Sequence, residues 1–148
     1  MGSKQLSIAI ASDHAGYFLK EILKSFLKKN DYEVEDYGTN SEKRADYPDH
    51  VHPLAKAIET GKHSRGIVIC GSGNGVNITA NKHQGIRAAL SWTPEIARLA
   101  RAHNDANVLA LPARFIDEET AMECVLLFLN TTFEGGRHTV RVEKIRAK

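Results

Sequence analysis

The chain has 148 residues, of which 42% are hydrophobic and 26% are charged, and these values are typical of one compact domain over residues 1–148. The formal net charge of +2 gives no indication of a nucleic-acid partner. The only two cysteines lie far apart in sequence, which excludes a disulfide scaffold and favours the reducing cytoplasm. No apolar run approaches the ~20 residues of a membrane span, so we expect no membrane partner.

Short apolar runs alternate with amphipathic helical patterns along the chain. The predicted strands span residues 6–11, 33–37, 66–70, 86–90 and 107–111. A helix is predicted after each strand, with Asp13 as the cap of the first and Pro48 at the start of the second. Thr93 is expected to cap the fourth helix and Asp117 to open the fifth, and a basic tail follows.

Several basic residues are expected on the surface. In the first helix, Leu19 and Leu23 belong to an apolar stripe, and Lys20 falls on the opposite side. Four histidines lie in polar contexts and are expected to face solvent: His50, His52, His63 and His83.

The repeated βαβ order predicts an α/β protein with a five-stranded, mostly parallel sheet and helices on both faces. In such sheets, ligands bind outside the carboxyl ends of the strands, near the point where the strand order reverses. The residues that follow the strands are therefore the candidates for a site. They are residues 12–14, the loop that begins at Cys70, residues 91–92 and residues 112–114.

The strongest local motif is a glycine-rich loop between the third strand and a short helix. Its residues are Cys70, Gly71, Ser72, Gly73, Asn74 and Gly75. Closely spaced glycines allow backbone N–H groups to approach an anion such as a phosphate or an enediolate oxygen. The loop is not a Walker A motif, because no Gly-Lys-Ser/Thr follows, and Val76 breaks a G-x-G-x-x-G pattern. A plain strand-to-helix turn is the alternative interpretation.

Cys70 ends a predicted strand beside a helix N-terminus, a position that lowers the pKa of a thiol in general. The pattern is typical of a nucleophile or a general base, although a free cysteine is more often a small buried hydrophobe. Cys124 lies on the apolar face of a predicted helix, so we expect it to be part of the core.

Histidines occur at two further positions of interest. Asp13 and His14 follow the first strand, where a catalytic or binding role is plausible. His103 ends a helix, where it could act in a site or simply complement the helix dipole. No cluster of Cys and His has the spacing of a zinc site, so we expect no metal.

Residues 137–148 carry five basic residues and one acidic residue, a net charge of 5 − 1 = +4. Arg137, His138 and Arg141 can share one face of a helix or turn and suit a phosphate dianion. A solvated basic tail is the alternative interpretation. Nucleic acid is a weaker alternative, because the patch is short and lacks interleaved aromatic residues.

Taken together, several motifs occur in one order along the chain: residues 12–16 (SDHAG), 46–48 (DYP), 70–73 (CGSG), 80–82 (ANK), 103–105 (HND) and 134–138 (EGGRH), with Arg141 after them. With these motifs the chain closely resembles the ribose-5-phosphate isomerase B family, which also holds the galactose-6-phosphate isomerase subunits. The resemblance covers about residues 8–145.

The resemblance implies a Rossmann-like three-layer sandwich and a cytoplasmic enzyme of the pentose phosphate pathway. It also implies a homodimer, often paired into a tetramer, with active sites shared between subunits. Residues 131–148 would then dock on the partner subunit.

The resemblance further implies metal-free interconversion of ribose 5-phosphate and ribulose 5-phosphate through an enediolate, without a cofactor. Carried over by position, Cys70 would be the base, and Asp13, His103 and Ser72 would be the other catalytic residues. The remaining positions would bind the substrate: His14, Gly71, Gly73, Asn74, Gly75, Asn104, Arg114, Arg137 and Arg141. Many members of the family have an aliphatic residue in place of Asn74. A branch that lacks the cysteine has Glu where this chain has Val76, so this sequence resembles the cysteine type.

Two other functions fit parts of the pattern. The first is an isomerase of a hexose 6-phosphate, allose or galactose, since the sequence does not define the depth of the pocket. The second is a non-catalytic nucleotide-binding domain on a similar α/β fold. The absence of a G-x-G-x-x-G motif with a later acidic partner argues against the second function.

Overall fold

The computed structural model describes residues 7–147. Its strands are β1 (Ser7–Ser12), β2 (Glu33–Asp36), β3 (Arg65–Cys70), β4 (Ala88–Leu90) and β5 (Val108–Pro112). Its helices are α1 (Tyr17–Lys29), α2 (Tyr47–Glu59), α3 (Asn74–Ala80), α4 (Pro94–Ala102), α5 (Glu118–Asn130) and α6 (Arg137–Glu143). The strands form one parallel sheet in the order β2-β1-β3-β5-β4.

The sheet is buried on both faces, because successive side chains of a strand point to opposite sides. On β1, Ile8 and Ile10 pack with α1, α4 and α5. Ala9 and Ala11 point the other way and pack with α2 and α3. This arrangement confirms the predicted α/β fold, a three-layer sandwich with a five-stranded sheet, and every strand pair in it is parallel.

The predicted elements all occur, with bounds that differ by a few residues. The first predicted strand begins at Leu6, which lies outside the described residues, and the structure gives β1 from Ser7. Thr93 and Asp117 cap their helices as predicted, through side chains that accept hydrogen bonds from Ile96 N–H and Thr120 N–H. The cap expected at Asp13 is wrong. The N-cap of α1 is Gly16, and the Asp13 carboxylate instead accepts the Gly16 N–H at 3.1 Å, closing the turn before the helix.

Two residues expected on the surface are buried. Lys20 is 0% exposed, and its Nζ lies 2.5 Å from the carboxylate of Asp36 at the end of β2. His63 is 5% exposed, and its ring nitrogens lie 2.8 Å from Ser7 Oγ and 2.6 Å from the Glu35 carboxylate. In both cases a polar partner on the neighbouring strand offsets the free-energy cost of burial, and a single sequence does not reveal such pairing.

The basic tail expected after the last sheet helix contains a short helix, α6. Before this helix the chain contacts the end of α4, where Glu134 N–H donates a hydrogen bond to the Ala102 carbonyl at 2.9 Å. This contact places the tail against the C-terminal end of α4. Within residues 7–147, no helix is long and apolar enough to cross a membrane.

Candidate active site

The strand order reverses between β1 and β3, which are neighbours although β2 lies between them in sequence. Ser12 at the end of β1 pairs with Ile69 of β3, and Asp13 N–H donates to the Ile69 carbonyl at 3.3 Å. The residues after β1 and the loop after β3 therefore meet at the carboxyl edge of the sheet. This is the position at which parallel α/β sheets bind ligands.

A cavity of about 470 Å³ lies at this edge. Its lining residues are Asp13, His14, Ala15, Tyr47, Cys70, Gly71, Ser72, Gly75, Arg114 and Phe115. The structure thus brings together predicted residues from three separate parts of the sequence. The volume is within the range of small-molecule sites.

The two thiols of the chain have different environments, and both are free. Cys70 is the last residue of β3, is 5% exposed and lines the cavity. Cys124 is fully buried in the core on α5. Burial raises the pKa of the Cys124 thiol to about 11, with a smaller contribution from the negative charge of Glu123. The structure therefore agrees with the expectation that Cys124 is a core residue.

The glycine-rich loop has a shape that side chains would prevent at two positions. Gly73 has φ +77°, and a Cβ there would collide with Leu90 at the end of β4. A Cβ on Gly75 would collide with the ring of Tyr47. The Ser72 hydroxyl accepts the Asn74 N–H at 3.2 Å within the loop. The loop is therefore held close to its neighbours and leaves its backbone facing the cavity.

The loop after β5 supplies the other wall of the cavity. Ala113 N–H donates to the Cys70 carbonyl at 2.9 Å, and Arg114 N–H donates to the Gly71 carbonyl at 3.0 Å. The Arg114 side chain lies against Gly71, whose missing Cβ leaves room for the guanidinium. These contacts hold a cationic group beside the glycine-rich loop.

The segment after β1 presents a histidine and a carboxylate. Asp13 is buried at the cavity wall and accepts the Gly16 N–H. His14 Nδ1 lies 3.2 Å from the Ala45 backbone nitrogen and 3.3 Å from the Ala45 carbonyl oxygen, in the loop before α2. The imidazole is thereby oriented by backbone rather than by another side chain.

Tyr47 is a cavity residue to which sequence reasoning assigned no role. It is the first residue of α2, and its ring packs over Gly75. The sequence signals are its place in the motif of residues 46–48 and its position directly before Pro48, at a helix start that topology brings to the carboxyl edge of the sheet.

Four predicted site residues lie at the opposite edge of the sheet: His103, Asn104, Arg137 and Arg141. The Asn107 carbonyl, just after His103 and Asn104, accepts the Gly66 N–H at the amino end of β3. Cys70 ends the same strand, four residues further on and so about 13 Å away at ~3.3 Å per residue. These four residues do not line the 470 Å³ cavity. Within one chain, the predicted site residues therefore form two separate groups.

The second group contains a cluster that the sequence analysis missed. The rings of His103 and His138 stack with centroids 4.2 Å apart and planes 13° apart. Glu134 Oε1 lies 3.6 Å from Nε2 of each histidine. The donor atoms lie close enough together to be considered as metal ligands. Only the i, i+4 spacing of Glu134 and His138 could have indicated part of this cluster.

His138 is 7% exposed, and its Nε2 has no hydrogen-bond partner among the described residues. Desolvation lowers the pKa of His138, and the positive charges of His103, Arg137 and Arg141 lower it further. The Glu134 carboxylate opposes this shift. His138 therefore favours the neutral form at neutral pH.

A larger cavity of about 670 Å³ lies between α6 and the segment of residues 81–87. None of the predicted site residues is among its described lining residues. The volume of a cavity therefore does not identify the site. Cys70, Asp13 and other predicted site residues line the smaller cavity, at the reversal of strand order.

The whole chain resembles known isomerases. Residues 8–145 match the model of the ribose/galactose isomerase family, so the chain belongs to that family. Ribose-5-phosphate isomerase B of Escherichia coli is 44% identical over 140 residues, which are 95% of this chain and 94% of that protein.

Solved structures agree with this assignment. A ribose 5-phosphate isomerase of Thermotoga maritima superimposes with a TM-score of 0.95 at 49% identity, covering 97% of this chain and 99% of that one. Ribose-5-phosphate isomerase B of Mycoplasma genitalium, solved with ribulose 5-phosphate bound, gives a TM-score of 0.89 at 43% identity, covering 94% of this chain and 93% of that one. The fold is the Rossmann-like sandwich that the resemblance implied.

Proposed function

We propose that this protein is a ribose-5-phosphate isomerase that interconverts D-ribose 5-phosphate and D-ribulose 5-phosphate. The observation that carries the proposal is the cavity at the reversal of strand order, where Cys70, Asp13 and the glycine-rich loop meet. Family membership over almost the whole chain supports it. The relative solved with bound ribulose 5-phosphate supports the choice of a pentose phosphate.

In the proposed mechanism, the Cys70 thiolate removes the proton from C2 of the open-chain aldose. The electrons of the C2–H bond form the enediolate double bond, and the carbonyl oxygen takes up the negative charge. The proton of the C2 hydroxyl moves to the C1 oxygen, the same thiol returns its proton to C1, and the C2 oxygen becomes the carbonyl of the ketose. The reaction moves one proton between the two carbons and one between the two oxygens and consumes no oxidant, so no cofactor is required for balance.

The glycine-rich loop would stabilise the enediolate. Backbone N–H groups near Gly71, Gly73 and Gly75 and the Ser72 hydroxyl follow the end of β3, and the Asn74 N–H holds that hydroxyl in place. Preorganised donors of this kind are each worth ~3 kcal/mol of transition-state stabilisation where they have been measured. The contacts of Gly73 and Gly75 with Leu90 and Tyr47 keep the donors in place.

The phosphate would be held by groups from both clusters. Arg114 and His14 lie at the Cys70 cavity, and Arg137 and Arg141 lie on α6 at the other edge of the sheet. Four cationic or donor groups suit a dianion. Binding the remote phosphate aligns C1 and C2 with the base.

A single chain does not bring the two groups together, so we infer a homodimer in which each site combines both. Cys70, Asp13 and the loop come from one subunit, and His103, Asn104, Arg137 and Arg141 come from the other. Residues 131–148, which hold α6, would dock on the partner. Exposed Phe115 at the rim of the cavity and exposed Val140 on α6 are apolar surfaces suited to such an interface.

Association into a tetramer, nucleic-acid binding and membrane binding are not needed for this activity. Two free cysteines are consistent with a cytoplasmic location.

The direct test is conversion of ribose 5-phosphate to ribulose 5-phosphate by the purified protein in EDTA. We expect turnover in EDTA, because the proposed proton transfer uses a thiol and backbone donors. Conversion of allose 6-phosphate or galactose 6-phosphate in preference to ribose 5-phosphate would replace the pentose with a hexose substrate. Inactivity with all three sugars, together with thermal stabilisation by ATP, would favour the nucleotide-binding alternative.

A further inference from the structure

His138 combines a buried side chain with a ring nitrogen that is free to bind a ligand. Its side chain is more than nine-tenths buried, yet Nε2 has no hydrogen-bond partner within residues 7–147. An unpaired buried nitrogen costs free energy, and a catalytic role is one of the reasons for which proteins keep such a group. His138 is also neighbour to His103, which the proposed function places in the active site.

The cluster leaves room for substrate oxygen atoms. Glu134 Oε1 lies 3.6 Å from both Nε2 atoms, which is longer than a hydrogen bond of ~2.7–3.2 Å. The three groups therefore do not satisfy one another. An oxygen placed among them can be within hydrogen-bond distance of an imidazole and of the carboxylate.

The parallel rings indicate which ligand fits. Lone pairs and N–H bonds of imidazole lie in the ring plane, and these two planes differ by only 13°. Since Glu134 Oε1 lies 3.6 Å from both Nε2 atoms, these nitrogens lie on the same side of the stack, and their lone pairs, held in nearly parallel planes, do not meet at one point. Two oxygens bonded to the same carbon match that arrangement. A cyclic hemiacetal has such a pair at C1, the anomeric hydroxyl and the ring oxygen.

We propose that His138 is a second catalytic residue for opening the furanose ring of ribose 5-phosphate, acting as the base beside His103 as the acid. The inference rests on the proposed function. His138 Nε2 removes the proton of the anomeric hydroxyl, and the O–H electron pair forms the C1=O bond. The C1–ring oxygen bond breaks, and its electron pair takes the proton of His103 Nε2. The aldehyde formed is the open-chain substrate for Cys70.

The charges around the cluster suit this assignment. His138 favours the neutral form because desolvation and the charges of His103, Arg137 and Arg141 lower its pKa, so it can accept a proton. Glu134, whose side chain is half exposed, lies equally close to both histidines and stabilises whichever ring carries the positive charge. The proton then returns from His138 to His103, which restores the starting state.

The test compares two reactions of the intact protein. Conversion of ribose 5-phosphate requires ring opening. Exchange of the C1 hydrogen of ribulose 5-phosphate with D2O requires only the Cys70 proton transfer, since that ketose carries its phosphate on the C5 oxygen and has no furanose ring. In His138→Gln we expect conversion to fall ~100-fold or more, the usual worth of an acid or base, while deuterium exchange is retained.

Three variants make the result decisive. Glu134→Gln, at a half-exposed position that should fold normally, is expected to lose conversion selectively in the same way but by less. Cys70→Ala should lose both reactions, and His52→Gln, at an exposed histidine that belongs to neither group of site residues, should lose neither. An equal fall of both reactions in His138→Gln and Glu134→Gln, or full conversion in both, would overturn the inference. Dependence of wild-type conversion on Zn²⁺ would overturn it in favour of a metal site. Inactivity of the wild type in both reactions would instead reject the proposed function.

Discussion

At the scale of single residues, the two cysteine thiols differ in their position relative to the sheet and therefore in their environment. Cys70 ends β3 at a cavity, and Cys124 is sealed in the core on α5. The sequence already indicated this difference, because Cys70 follows an apolar run and precedes a glycine-rich loop. Only the fold shows that Asp13, His14 and Arg114 are the neighbours of the first thiol.

Cys70→Ala is expected to fold normally and to lose isomerase activity at least ~100-fold, because it removes the proposed base. Cys124→Ala should keep full activity and lose about 1–2 kcal/mol of unfolding free energy, because it leaves a small cavity in the core. Steady-state kinetics and urea denaturation of the two variants check this pair. Full activity in Cys70→Ala would show that another group is the base.

At the scale of elements, backbone geometry determines what the glycine-rich loop can do. Two glycines with positive φ make a matched comparison: Gly73 at the start of α3, with φ +77°, and Gly61 after α2, with φ +85°. A Cβ at Gly73 would meet Leu90, whereas a Cβ at Gly61 would meet nothing within 4 Å. Position 73 therefore requires glycine both for its positive φ and because a side chain would not fit. Position 61 requires glycine only for its positive φ.

Gly73→Ala should therefore displace the loop and lower kcat strongly, as well as destabilise the fold. Gly61→Ala should cost only the backbone strain of about 1–2 kcal/mol and leave kcat unchanged. Thermal unfolding and kcat measured on both variants test the difference. Equal losses of kcat in the two variants would argue against a role for the loop geometry.

The contact between buried His63 and the Glu35 carboxylate leads us to expect that the stability of the fold depends on pH. Hydrogen bonds from Tyr37 and then His63 lower the pKa of Glu35 from 4.5 to about 2. A lowered carboxyl pKa stabilises the fold above the unfolded value and loses that contribution as pH falls through the folded value. The Tm of wild type should thus exceed that of Glu35→Gln at pH 7, and the gap should narrow between about pH 4.5 and 2. A gap that is independent of pH would contradict this prediction.

At the scale of the whole molecule, the two groups of candidate residues lie at opposite edges of one sheet. Helices in a parallel sheet return the chain from the carboxyl edge to the amino edge, so a residue that ends a helix lies far from one that ends a strand. His103 ends α4 and Cys70 ends β3. A site that uses both needs two chains.

Mixing two inactive variants tests this arrangement. Coexpressed Cys70→Ala and His103→Ala subunits form hybrids in which one of the two shared sites carries neither substitution. With random pairing, about one quarter of the wild-type sites are restored. We expect the purified mixture to recover activity of that order, measured as conversion of ribose 5-phosphate. A mixture as inactive as its two components would show that each site belongs to one chain.

The sequence by itself determined the elements, the parallel α/β sheet and the loop at the end of β3, because hydrophobic periodicity and turn residues are local properties. It also carried the family motifs, and with them the candidate residues. Tertiary structure alone decided which of those residues are neighbours. The burial of Lys20 and His63, the packing of Tyr47 on Gly75 and the stacking of His138 on His103 all depend on contacts between distant segments. Such contacts follow from how the helices return across the sheet, and that path is a property of the folded chain rather than of any one segment.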